Sequence, residues 1–275
     1  MPTIAMTREM GSHGREVAQR LADEMGLTLV LHELVERNLA ERMQVPERAV
    51  HNRLEGVASW RERWQIGSQR LAHHTAEEVL ELAQRGNVLI RGWGACVLLR
   101  DVPHVGRVRV CAPIELRERN VMERRGLKDK SAARREIEAN DDAHRHILRV
   151  AFGVDREDAR LYDLVLNTGR VPVDTCVRLV RDLVESPEFG ETDASRAVLR
   201  DKVLEARIRI KLGERFTLGT GVGSLRAEAA ASRVILHGSA LHTSLAQEAG
   251  RIVGEIPGVK DVDNRIEVVR GPRPL

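Results

Sequence analysis

The stretch "TIAMTREMGSHGREVAQRLADEMG", Thr3 to Gly26, decides the fold. Thr3-Ile4-Ala5-Met6 reads as a short apolar strand, and an amphipathic helix over 14–25 leaves the turn behind it. A helix N-terminus presents unpaired backbone N–H groups and a positive dipole end, so it attracts anions. Gly11 and Gly14 let that backbone approach a ligand closely, and Ser12 adds a hydroxyl. Arg8 and Arg15 flank the turn with fixed charges suited to phosphate oxygens. The same residues also fit a plain strand-to-helix turn with solvent-facing arginines. Neither standard glycine fingerprint is met: GxGxxG is reduced to GxxG, and Arg15, not lysine, follows the second glycine.

Outward from this stretch, the chain has the composition of a soluble globular protein: 275 residues, 42% hydrophobic and 31% charged. It has no apolar run of membrane-spanning length and no signal-peptide pattern, so a cytoplasmic location is expected. Cys96, Cys111 and Cys176 share no CxxC spacing and read as buried free thiols in a reducing compartment. From Gly190 onward the chain carries 14 Lys and Arg against 11 Asp and Glu, so the whole net charge of +3 lies there. With aromatics at 3%, that surplus gives no expectation of nucleic-acid binding.

The pattern predicts strands at 3–7, 87–91, 105–111 and 162–166. It predicts helices at 14–25, 113–125, 130–149 and 172–185, with a helical region from about 32 to 85. Alternation of this kind argues for an α/β fold with a parallel sheet covered by helices on both faces. "VESPEFGETDAS", Val184 to Ser195, clusters proline, glycine and acids as a linker does. The expected division is 1–186, a linker at 187–194, and 195–275. The last part reads as a small α+β unit. It has a helix at 195–212, a glycine-rich extended stretch from Phe216 to Ala231, the strand "RVILHGSA", a helix at 241–254 and a last strand "RIEVV".

The opening stretch resembles the cytidylate-kinase-like family of P-loop nucleoside monophosphate kinases. The likeness continues in "NVLIRGWGACVLL", "VRVCAPIELRERNVMERRGL" and "YDLVLNTGRVPVDTCVRLV", covering nearly all of 1–185 in order. It implies a P-loop kinase-like five-stranded parallel sheet, ATP or another triphosphate as donor, Mg²⁺, and a nucleoside monophosphate as acceptor. Carried over by position, Gly11, Ser12, His13, Gly14, Arg15 and Glu16 form the phosphate loop and helix start, with Arg8 beside them. Arg117 and Arg124, seven apart and so on one helix face, fall where relatives clamp phosphate. Asp142 and Arg145 match an Asp-x-x-Arg pair, Asp142 on the acceptor side and Arg145 among the catalytic arginines Arg15, Arg117 and Arg124. Asn167 and Thr168 fall near the donor base.

Three positions depart from the family pattern. His13 stands where the turn usually has glycine, and Leu31 where an aspartate is usual. Trp93 replaces an arginine expected near the acceptor phosphate, with Arg91 two residues back as a substitute on the acceptor side. Metal sites in "DDAHRH" and "LAHHTAEE" are disfavoured, because adjacent or i,i+2 histidines do not share a helix face. No GxSxG elbow supports hydrolysis.

"RVILHGSALHTSLAQEAGRIVGEIPGVKDVDNRIEVV" resembles the BON domain, through Gly238, the alanine-rich helix, the Pro257-Gly258-Val259 turn and Asn264. That likeness implies a module that binds lipid head groups, peptides or other macromolecules. Two functional expectations follow: a nucleoside monophosphate kinase fused to a BON interaction module, or a degenerate nucleotide-binding sensor whose BON unit meets a lipid surface or protein partner. Self-association into a homo-oligomer is left open.

Overall fold

The computed structural model describes residues 2–54, 68–92, 94–219 and 223–269. Trp93, the stretch 55–67 of the expected helical region, and 220–222 lie outside the described residues. The chain divides into two compact units, Met1–Ser195 and Arg196–Leu275.

The first unit is built on β1 (Thr3–Arg8), whose Thr3 to Met6 are buried. β1 lies at the centre of a five-stranded sheet, flanked by β3 (Val88–Arg91) and β4 (Val105–Cys111). β2 (Thr28–Val30) and β5 (Leu164–Asn167) form the edges, giving the order β2-β3-β1-β4-β5. All four pairings are parallel, with Ala5 beside Ile90 on one side and Arg107 on the other. β2 has only three residues, too few to show a periodicity in the sequence.

Helices cover both faces. α1 (Gly14–Met25) buries Val17, Ala18, Leu21 and Ala22, and α8 (Val173–Val184) buries Cys176, Val177, Val180 and Val184. These pack against Ile4, Met6, Val108 and Val110 in one core. α2 (His32–Met43), α3 (Glu47–Leu54) and α4 (Ser68–Arg85) follow β2, and α4 packs on β3. A short helix, α5 (Ala95–Leu98), which the pattern did not anticipate, packs on β1. α6 (Ile114–Arg125) and α7 (Lys130–Phe152) lie against each other. α7 runs three residues beyond its expected end. Its Phe152 packs on Gly94, where a Cβ would come within 2.8 Å of the ring. Cys96 and Cys176 are buried as expected; Cys111 is only half-buried, at the end of β4.

The second unit is a four-stranded mixed sheet, β6 (Thr217–Leu218), β7 (Ser224–Ala230), β8 (Arg233–Ala240) and β9 (Asp261–Val268), in that order. α9 (Asp193–Gly213) supplies Leu204, Ile208 and Leu212, and α10 (Thr243–Gly254) supplies Ala249 and Val253. They cover Leu225, Ala227, Val234 and Leu236 of the sheet. β9 begins four residues before the expected strand, because it pairs with β8 from Asp261 against Arg233 onward. Asn264 anchors α10 by donating to the Ala246 carbonyl at 2.7 Å. Gly238, in β8, has φ 128, and a Cβ there would meet the Ser224 carbonyl of β7 at 2.1 Å. Gly238→Ala is therefore expected to destabilise this unit by roughly 2 kcal/mol or more. Hydrogen exchange checks it: the loss of protection should fall on β7 and β8 and spare β1 and β4.

Among the described residues, no helix is long and apolar enough to cross a membrane.

Candidate functional site

The chain leaves β1 towards one half of the sheet and later returns to fill the other half, so the carboxyl end of β1 is a topological switch point. In open α/β sheets ligands bind in the crevice there. Here that crevice is the turn 9–13 and the start of α1.

Both turn glycines are required by close approach. Gly11 has φ 80, and a Cβ on it would lie 2.6 Å from the Arg117 carbonyl of α6. A Cβ on Gly14 would lie 2.6 Å from Cβ of Arg8. His13 precedes α1 with φ 56, and no side chain caps the helix. An ordinary N-cap is extended and offers its own oxygen to the first-turn amides; this one leaves them open to an anion.

Ser12 is 1% exposed, and its hydroxyl donates to the Glu9 carbonyl at 2.8 Å. Its proton therefore serves the loop itself, not the crevice as the sequence suggested. Thr168, at the end of β5, donates to the Ser12 carbonyl at 2.8 Å, and the Asn167 side chain accepts from the Gly169 amide. Thr168 thus braces the turn, Asn167 bonds only the chain just beyond its own strand, and neither lines the cleft described below.

Beneath the turn lies a charged network that the sequence reading missed. Glu9 accepts from Arg109 at 2.9 Å and from the Ala112 amide at 3.2 Å. Arg109 also donates to the Arg156 carbonyl and to Glu157. Burial opposes its charge, but the hydrogen bonds to Glu157 and Glu9 outweigh this and raise its pKa. Arg156 donates to the Arg8 carbonyl at 2.7 Å. Arg117 is 5% exposed; it donates to the Met10 carbonyl at 2.7 Å and pairs with Asp141 at 2.8 Å. Three guanidinium groups are thus matched by Glu9, Asp141 and Glu157.

The upper side of the turn is not matched in this way. A cleft of about 630 Å³ is lined by the turn 11–16 together with Arg8, Glu9, Gln19, Arg20, Asn120, Glu123 and Arg124. Arg8 is half-buried, and its pKa is pushed down to about 10, first by burial and then by Arg91, Arg124, Arg15 and Arg156. Among the described residues no carboxylate pairs with Arg8, Arg15 or Arg124. Glu16 is engaged by Arg20 at 2.9 Å and by His13 at 3.3 Å.

The structure therefore sorts the expected site residues. Arg8, Gly11, Ser12, His13, Gly14, Arg15, Glu16 and Arg124 converge on one cleft. Arg117 faces the same turn from below, saturated by its partners, so it holds the loop. Arg145 pairs with Asp142 on the exposed part of α7, and neither lines the cleft. Arg91, buried at the end of β3, contributes positive potential at Arg8. Leu31 has extended backbone at the entry to α2.

Among the described residues no three His, Cys, Asp or Glu side chains gather to hold a metal. With the Ser12 proton committed to Glu9, this donor set does not form a protein-held magnesium site. Mg²⁺ commonly binds through substrate phosphates and keeps its waters, and no residue is assigned to it.

Residues 3–170 match the model of the cytidylate kinase-like family. The chain belongs to that family. Residues 200–270 match the BON domain. A cytidylate kinase of Pyrobaculum aerophilum is 27% identical over 182 residues, 66% of this chain and 92% of that protein. One of Ignicoccus hospitalis is 28% identical over 188 residues, 67% of this chain and 99% of that protein. An uncharacterized protein from Eubacterium ventriosum has a similar fold, with a TM-score of 0.54 at 22% identity, covering 68% of this chain and 99% of its own.

Proposed function

We propose that the first unit of this cytidylate kinase-like chain transfers the γ-phosphate of ATP to a nucleoside monophosphate. The polyphosphate would rest on the turn 11–16, and the second unit would serve as an interaction module. One observation carries this reading: Arg8 is held half-buried among four guanidinium groups with no carboxylate partner among the described residues. That arrangement is unfavourable in the empty protein and becomes favourable once several negative charges enter the cleft. Phosphoryl transfer asks a protein chiefly to position two phosphates and neutralise developing charge. The open first-turn amides of α1, with Arg8, Arg15 and Arg124, supply that function where a P-loop lysine is missing. The acceptor would lie on the side of α2 to α4, near Arg91.

A second reading, a nucleotide-binding sensor without turnover, is favoured by His13 in a glycine position and by the inward Ser12 hydroxyl. A coupled assay with MgATP and CMP, dCMP, UMP or AMP separates the two. Turnover with at least one acceptor is expected. Nucleotide binding without turnover on any of them would select the sensor. Arg15→Ala is expected to weaken MgATP binding about tenfold, as loss of one charge-assisted contact does.

A further inference from the structure

Asn120 stands on α6, one turn before Arg124. Its Nδ2 lies 2.7 Å from the Gly11 carbonyl and 2.8 Å from His13 Nε2. A carbonyl only accepts, so it is the amide nitrogen of Asn120 that faces Gly11. One N–H goes to Gly11 and the other to His13, which makes Nε2 an unprotonated acceptor. The ring proton of the neutral imidazole is then on Nδ1, 3.3 Å from Glu16 Oε2. Only this tautomer satisfies all the partners at once. The residue so gripped has φ 56, a left-handed backbone that residues with a Cβ adopt reluctantly.

We infer that Asn120 is a positioning residue for the phosphate turn: it locks His13 as the Nδ1–H tautomer and holds the backbone that aims the first-turn amides of α1 into the cleft. This rests on the placement of phosphate proposed above. His13 thus acts as a strut tied to α6, which accounts for side-chain bulk at a glycine position. Loss of the Nε2 acceptor would release one arm of the lock and leave the turn held through Gly11 alone. The charged groups sharing the cleft with it are Arg8 from β1, Glu9 from the turn, Arg15, Glu16 and Arg20 from α1, and Glu123 and Arg124 from α6.

Long-range ¹H–¹⁵N spectra of the ligand-free, full-length protein test the lock directly. The His13 ring is expected as Nδ1–H at neutral pH, and Asn120→Ala is expected to return it to the Nε2–H form common in free imidazoles. In the same variant MgATP affinity should fall about tenfold, the order expected for losing two hydrogen bonds at the turn. Asn120→Asp accepts from an Nε2–H and cannot donate to Gly11, so it should turn the ring to the Nε2–H form. An Nε2–H ring in the parent, or an Asn120→Ala variant with unchanged ring signals and affinity, overturns the inference. A parent that shows the Nδ1–H ring and binds no nucleotide would refute the kinase reading and leave the lock standing.

Discussion

Arg8→Met is expected to raise the melting temperature of the ligand-free protein while weakening MgATP binding about a hundredfold. The two effects share one cause. Arg8 remains protonated at neutral pH although burial and four neighbouring guanidinium groups oppose its charge. Methionine keeps a long apolar stem against Gly14, where Cβ and Cδ of Arg8 already lie close, and it removes the charge. The empty site is relieved, and the bound site loses its central cation. Proteins carry such stability costs where function requires them. Thermal melting with and without MgATP reads both effects in one experiment. A variant with lowered apo stability and unchanged affinity would show that Arg8 is part of the scaffold only.

Arg117→Met should behave in the opposite way. This side chain is buried, and it neutralises Asp141 while capping the Met10 carbonyl. Removing one partner of a buried ion pair leaves an uncompensated charge, at a cost of about 3 kcal/mol. For a unit of this size the melting temperature should fall by on the order of 10 °C. Nucleotide binding should fall with it, since the turn rests on the Arg117 backbone at Gly11. If Arg117→Met melted like the parent and lost only turnover, Arg117 would be acting on the substrate.

The contrast between Arg117 and Arg124 shows what the sequence could and could not reveal. Seven residues apart on one helix, the two look alike as phosphate clamps. The fold buries one beneath the turn with an acid and a carbonyl, and leaves the other at the cleft without a carboxylate. That sorting depends on partners distant in sequence. Glu9 and Arg109 are 100 residues apart, and the Arg8 carbonyl and Arg156 are 148 apart. No local periodicity reports such pairings, so Glu9, Arg109, Asp141 and Arg156 went unnoticed. Asn120 escaped for the same reason, as one polar residue in an arginine-rich helix.

The strand, turn and helix from Thr3 to Met25 were legible because each is specified locally. Apolar residues mark β1, the paired glycines Gly11 and Gly14 mark the turn, and an apolar stripe marks α1. β2 was not legible, for three residues hold no period, and α5 is a single turn that packs on β1. In the second unit the helices were visible from their apolar spacing. The start of β9 was not, because Asp261 and Asp263 look like turn residues until β8 lies beside them.

Titration calorimetry of MgATP into the full-length protein tests the central claim most directly. The account predicts one nucleotide per chain, with heat of binding, an affinity that falls as salt rises, and binding about a hundredfold weaker in Arg8→Met. A parent protein that gives no heat and no thermal shift at millimolar MgATP would contradict it.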